Sequence, residues 1–531
     1  VVAGTWLTGG GTTGSVTLNA TTQRGKDAVK DLAMNNSGTV GTTNTTALQA
    51  FFNGLGTNGS PELHFPCGTY YFNAPVITNA ALITMIGDGF TSNSAGNGCV
   101  QFVTDQAINE ILWFDNPGSS TNPQSARMEH IQFSDTSTNH NLLKSGFRIT
   151  NQSNFYLNDI SGFNLKQSVY TTGTVSITQG SKSVTGSGTT WTSSMVPGFM
   201  WVAGYPYEIA SVGGTTSITL ATAYQGTTNS SATYSIDSGG ILMWLDPGLS
   251  LTQNGTVLAL KSNTVSVPVY TQSGSSTTTV NHVQFLSGQV SCSALVDSIG
   301  AYFGQYSNSM QWSVTETSCA IGAMVASGRS NIFLGAQFDT PTIAPITTCS
   351  GGVATQSCIK GLLILSDNST NTQENQVVEN KFGGVGNAIE LAGISANPPT
   401  NTKVGFNSFF SNTANCVFGN ATATQGECDS AWYQTTVNGR PLIAATQVTT
   451  GTTTVNAGTC TANLGPVTVG GTPLAVSFTG TTDTSGSTGY GSVGGLQINA
   501  WPGTNAFNYK ICNPTGSNIT PSSVTWNVTF Q

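Results

Sequence analysis

The chain has 531 residues but only 23 Asp+Glu, 15 Lys+Arg and 4 His. The groups able to move a proton can therefore be weighed one by one. Asp297, Glu316, Asp339 and Glu379 recur along the later part of the chain with polar flanks, near Tyr302, Phe303, Tyr306, Trp312, Phe333 and Phe338. Carboxylates beside aromatic faces suit a sugar ring, which offers CH surfaces and hydroxyls together. Two carboxyl groups about 5–5.5 Å apart cleave a glycosidic bond with retention, and about 6.5–9.5 Å apart with inversion. This reading makes Asp297, Glu316, Asp339 and Glu379 catalytic, with Tyr306, Trp312 and Arg329 binding the substrate. The competing reading makes the aromatics core stacks and the acids scattered surface charges.

A second constellation aligns Glu129-His130-Ile131 with Asn158-Asp159-Ile160 and Asn281-His282-Val283. If Ile131, Ile160 and Val283 point inward, His130, Asp159 and His282 share one outward column. Glu129 then faces the other way under strand alternation. An Asp between two His is an acid/base arrangement; a solvent-facing polar ladder is the alternative. Asp88 in Gly-Asp-Gly reads as a turn residue, as do Asp237 and Asp246. His64, His130, His140 and His282 form no HxxH or HExxH pattern, so no metal is expected. No GxGxxG opens a helix after a strand and no Gly-x-Ser-x-Gly elbow appears, so no cofactor is expected either.

The elements that must hold these groups are short strands. Only 7% of positions are charged, against 63 glycines and 38% hydrophobic residues. Thr, Ser, Asn and Gly replace charge, and these suit strands and tight turns. A net charge of −8 argues against nucleic acid as a partner. No apolar run approaches the roughly 18 residues that membrane insertion requires. One helix stands out, TTALQAFFNGL, with Leu48, Phe51, Phe52 and Leu55 at helical spacing and Asn44 or Thr45 placed to cap it. From about residue 80, short alternating segments recur every 20 to 30 residues, as in Met128–Phe133, Tyr156–Ile160, Val280–Phe285 and Val404–Phe410. Stacked solenoid coils give this pattern, with apolar residues inside and polar ones outside. The ten cysteines fall into sequential pairs: Cys67–Cys99, Cys292–Cys319, Cys349–Cys358, Cys416–Cys428 and Cys460–Cys512. Neighbour pairing is the simplest of many connectivities, with buried free thiols as the alternative. Coils spaced at about 4.8 Å bring such pairs within disulfide reach. The start at Val1, without Met, predicts a signal peptide already removed and a secreted or cell-surface location.

Lys30-Asp31-Leu32-Ala33, the helix TTALQAFF, then LHFPCGTYYF and ITMIGDG resemble the N-terminal signature of the pectate-lyase-like superfamily. The resemblance covers about 70 residues and implies a single-stranded right-handed parallel β-helix. That superfamily includes polysaccharide lyases, glycoside hydrolases, epimerases, phage tailspikes and non-catalytic adhesins. The N-T-D, D-D, G-H-G and R-I-K motifs of polygalacturonase-like members are absent. Among Arg24, Arg127, Arg148, Arg329 and Arg440, none sits in a lyase motif. Hydrolysis is therefore expected ahead of elimination.

The expected fold is all-β: a right-handed parallel β-helix with an N-terminal capping helix, a small inserted β module and a C-terminal β-sandwich. The expected divisions are 1–79 for the cap and first strands, 80–170 and 237–436 for the β-helix, 171–236 for an inserted small β-barrel and 437–531 for the sandwich. The expected function is polysaccharide binding with hydrolysis by two carboxylates. The rival is a non-enzymatic spike, adhesin or filament subunit, for which a homotrimer or filament is the expected assembly.

Overall fold

A computed structural model describes residues 7–8, 19–20, 25–38, 43–55, 62–79, 82–92, 98–116, 125–293, 295, 297–339, 359–367, 374–393, 402–405, 407–410, 414–418, 443–468, 476–479, 489–490, 495–504 and 506–530. The chain winds into coils, each adding one strand to each of three parallel sheets. These sheets have eleven, ten and ten strands. One full coil runs through Ser125–Glu129 on the first face, Gln132–Asp135 on the second and Ser145–Thr150 on the third. Every strand lies beside its equivalent in the next coil: Met128 is level with Leu157, and Phe133 with Phe102. Parallel strands joined by such crossovers wind right-handed. The fold is a parallel β-helix.

Inward positions carry the core. Phe65, Tyr70, Phe102, Phe133 and Phe147 form one run of contacting rings, and Phe285, Trp312, Phe303 and Phe333 another. Phe338 and Phe382 stack with centroids 4.9 Å apart. At the corners, buried asparagines replace apolar packing. Asn380 donates to Asn407 Oδ1 at 3.0 Å, and Asn331 to Asn375 Oδ1 at 3.1 Å, each carrying hydrogen bonding from one coil to the next.

The helix Thr43–Leu55 closes the N-terminal end. Leu48 and Phe52 are its buried apolar positions. Gln49 does what a further strand would do: its Nε2 donates to the Ile77 carbonyl at 2.9 Å and its Oε1 accepts from Ile77 N at 2.8 Å. The open edge of the third sheet is thereby satisfied. The helix starts at Thr43, earlier than the sequence reading has it. Asn44 lies in its first turn and pairs with the Asn35 backbone instead of capping.

Between the second and third faces of one coil, the chain leaves for an eight-stranded antiparallel sheet running from Gln167–Tyr170 to Ser235–Gly239. Its core of Val175, Ile177, Trp191, Tyr207, Ile218 and Ile236 is continuous with the outward side chains of the third face, from Ile241 to Ala392. The insert therefore lies over that face. From Ile443 onward a separate compact unit holds two three-stranded antiparallel sheets. Val448, Phe507, Tyr509 and Val528 pack between them as a small sandwich core.

Disulfides Cys67–Cys99, Cys292–Cys319 and Cys460–Cys512 are formed. Cys349, Cys358 and Cys428 lie outside the described residues, so the two remaining expected pairs do too. No helix among the described residues is long and apolar enough to cross a membrane.

Candidate functional site

Five of the described coils turn from the first to the second face through one residue with positive φ. His130, Asp159, Ala259, Gly335 and Glu379 take this position in different coils, with φ of 58°, 51°, 51°, 66° and 59°. A left-handed residue interrupts the strict alternation of a strand. This is why Glu129 and His130, adjacent in sequence, both face outward. The expectation that Glu129 turns away from His130 is thus corrected: Met128 is the inward residue, and Glu129, itself largely buried, pairs with the exposed Arg127 on the outer side.

The column brings His130 against Asp159, with Nδ1 2.9 Å from Oδ2. Asp159 is almost fully buried. It also accepts from Thr91 N at 2.8 Å, Thr91 Oγ1 at 2.7 Å and Lys261 Nζ at 2.5 Å. Burial pushes its carboxyl up, but the bonds from Lys261, His130 and Thr91 outweigh burial and hold it below the usual carboxylate range. An ionised Asp159 accepting from Nδ1 fixes the imidazole with Nε2 outward. Glu129 Oε2 lies 3.9 Å from that Nε2, and Arg127 holds the other Glu129 oxygen at 2.5 Å. Arg127 also sits over the Tyr156 ring at 5.6 Å. Phe90, 77% exposed, meets the imidazole edge-on at 5.7 Å between centroids.

His282 is not part of this column. The strand Gln284–Phe285 follows it, whereas the strand Ser125–Glu129 precedes His130. His282 occupies a different corner, from the third to the first face, in line with Asn254 and Ser309 through its amide bond to the Asn308 carbonyl at 3.1 Å. Lys261, on the second face one coil beyond Asp159, stands where a second histidine was expected. The spacing Asp159-x-Ser161 against Ala259-x-Lys261 carried the signal, because Ser161 and Lys261 are register partners.

The other expected site residues are dispersed. Glu316 is wholly buried, accepts from Cys319 N at 2.8 Å and packs against Gly300 and Gly322, inside the coil. Trp312 is likewise wholly buried in the interior aromatic run. Neither can meet a polymer at the surface, which corrects both assignments: Thr315-Glu316-Thr317 and Gln311-Trp312-Ser313 alternate with the polar neighbours outside. Asp339 is exposed at the end of a second-face strand. Glu379 is exposed on the same corner column as His130 and Asp159, about 24 Å along the axis from Asp159 by coil spacing. Tyr306 and Arg329 belong to the corner between the third and first faces. Asp297 lies in the turn before the third face, beside the insert residues Ser235 and Asp237. Burial and then Asp297 push Asp237 up to about 9, and burial pushes Asp297 up to about 6. No group of three or more His, Cys, Asp or Glu able to hold a metal occurs among the described residues.

No family model and no curated protein matches the chain. Solved structures of similar fold include the A-module of the Azotobacter vinelandii mannuronan C-5 epimerase AlgE6, at 10% identity and TM-score 0.36, covering 74% of this chain and 95% of that one. The Streptococcus pneumoniae surface protein and adhesin PfbA aligns at 11% identity and TM-score 0.35, over 74% of this chain and 99% of its own. A tailspike protein of E. coli bacteriophage HK620, solved in complex with a pentasaccharide, aligns at 8% identity and TM-score 0.35, over 97% and 96%.

Proposed function

We propose that this is an extracellular polysaccharide-binding protein that hydrolyses glycosidic bonds at the corner between its first and second faces. The observation that carries the reading is the His130 imidazole, held by Asp159 on one nitrogen and facing Glu129 with the other. Protonated His130 donates to the glycosidic oxygen. Glu129, only 3.9 Å from Nε2, is too close to serve a water on the far side of the sugar and acts instead as the nucleophile of a retaining reaction. Neutral His130 then takes the proton of the water that hydrolyses the glycosyl ester. This departs from a pair of free carboxylates: Asp159 is committed to four donors and acts as a positioning residue. Hydrolysis is favoured over elimination because the neighbouring cations are already matched, Arg127 by Glu129 and Lys261 by Asp159. Neither is left to neutralise a uronate carboxylate. Phe90 supplies an exposed ring for a sugar face. Asp339 and Glu379 are further polar contacts for a polymer lying along the axis.

Purified protein incubated with a polysaccharide panel should release reducing ends without unsaturated products, and His130→Ala should abolish release. Unsaturated products would replace hydrolysis with elimination. Activity undiminished in both His130→Ala and Glu129→Gln would remove this site from the reaction. The rival spike or adhesin reading gains if polymers bind but none is cut, and the protein forms trimers or filaments in solution.

A further inference from the structure

Lys360 and Asn387 are register partners on neighbouring coils of the third face, and Glu390 stands one outward position beyond Asn387 on the same strand. All three are buried to within 2% of completely. One oxygen, Glu390 Oε2, lies 2.8 Å from the Asn387 amide nitrogen and 3.9 Å from Lys360 Nζ. The other, Oε1, accepts from Tyr205 of the insert at 2.6 Å, and the Tyr205 ring lies 5.4 Å from the amine. The Asn387 carboxamide oxygen is buried with no hydrogen-bond partner. A buried amine, a carboxamide with its oxygen unsatisfied and a carboxyl bridging the two are the parts of an amide-forming site.

We propose that Lys360 and Asn387 join through an intramolecular amide bond, with Glu390 moving the protons. Glu390 first takes a proton from the Lys360 ammonium, since in a dry site the neutral pair costs less than the ion pair. Burial accordingly lowers the Lys360 pKa, against a smaller opposing effect from Glu390. The amine lone pair attacks the Asn387 side-chain carbonyl carbon, forming a C–N bond and a tetrahedral centre. The protonated Glu390 donates to the oxygen that has no other partner. The proton shed by Nζ passes through Glu390 to Nδ2; as the C–Nδ2 bond breaks and ammonia leaves, the hydroxyl oxygen gives its proton back to Glu390 and the carbonyl re-forms. One amine and one carboxamide become one secondary amide and ammonia, with no oxidant or co-reactant. Tyr205 places Glu390, so the bond forms once the insert has docked. The result is a covalent tie between two coils on the third face, independent of the proposed hydrolysis.

Mass spectrometry of the intact, reduced protein tests this. The expected mass is below that of the sequence by one molecule of ammonia, and a digest should contain one branched peptide linking Lys360 to Asn387. Glu390→Gln and Lys360→Met should each restore the full mass and yield two separate peptides. Full mass in the unaltered protein overturns the proposal without requiring any variant to fold. An ammonia loss with two separate peptides also overturns it, because a succinimide at Asn387 has the same mass. A branched peptide that persists in Glu390→Gln overturns the role of Glu390.

Discussion

The corner that carries His130 and the outer surface of the third face are made by the same coils, yet they differ in every property. The corner is polar, with two ion pairs and an exposed phenylalanine. The third face presents an outward column of Trp113, Arg148, Trp244, Tyr270, Tyr302, Met324, Leu363 and Glu390, level from coil to coil. Its first members remain partly open: the Arg148 guanidinium lies between Trp113 and Trp244 at 4.4 and 4.0 Å and is held by Asp246. From Trp244 onward the column is covered by the insert. Burial of an outward position is thus set here by what lies on the coil. The polar groups at this junction are buried with it: Glu208 of the insert accepts from Tyr270 at 2.8 Å and Tyr302 at 2.9 Å, and burial pushes its carboxyl up despite these bonds. One surface is closed by a module of the same chain, and the other is left open to solvent.

The most drastic way to break this contrast is to remove the insert. Gly240 lies against the backbone of Lys166 and Gln167, so joining Lys166 directly to Gly240 closes the coil. The splice would expose Ile241, Val267, Ile299, Ile321 and Leu363, each losing about 1.5–3 kcal/mol of burial. Aggregated or insoluble protein is expected, measured as the soluble fraction after expression. A soluble monomer with unchanged melting temperature would show that the insert does not support the third face. Next in size is the corner itself. His130→Ala should lower turnover by about 10²- to 10⁴-fold, the usual contribution of a general acid–base group. Tyr302→Phe, on the opposite surface, should leave turnover unchanged while lowering the melting temperature. Equal losses from both variants would mean that the two surfaces are not functionally distinct.

The coils were legible because an inward residue at every second position leaves a mark in sequence, and the helix, the insert and the sandwich each changed that rhythm. Two disulfides were legible for the same reason, because cysteines one coil apart are brought together by stacking; Cys460–Cys512 followed only from pairing neighbours in sequence, and the two stand opposite each other in the sandwich unit. The column of His130 and Asp159 was read correctly, but His282 and Glu129 were not. Both errors come from the corners. A single residue at positive φ shifts the phase of alternation, and nothing in Asn-His-Val distinguishes a residue that ends one strand from a residue that begins the next. Glu316 was misplaced for a related reason: a polar residue at an inward position looks like any outward one until its neighbours are assigned, whereas Trp312 is a core stack, as the competing reading has it. The insert's effect on the third face was not legible at all, because it depends on which surface a distant module covers.

A pH titration sharpens the contrast more gently. Asp237 rises from the ordinary 3.8 to about 9, by burial first and then by Asp297, and Asp297 rises to about 6 by burial. A carboxyl with a raised folded-state pKa binds its proton more tightly in the folded protein than in the unfolded one. Its effect on stability is nil below about pH 4 and grows as a penalty up to the folded value. The junction should therefore weaken from about pH 4 to about pH 9, and Asp237→Asn should flatten part of that slope in melting temperature against pH. A slope identical in the variant would place the titrating groups elsewhere.

The smallest effect is expected at Glu379, on the same corner column as His130 but far along the axis. It is exposed, and a surface change of this kind alters stability by no more than about 0.5 kcal/mol. If the polymer runs along the corner, Glu379→Gln should raise KM for long substrates, leave short ones unaffected and keep kcat unchanged. An unchanged KM for every length would confine binding to the region around His130. A fall in kcat would instead move Glu379 into the reaction, and the open surface would then have to be read as two centres on one column.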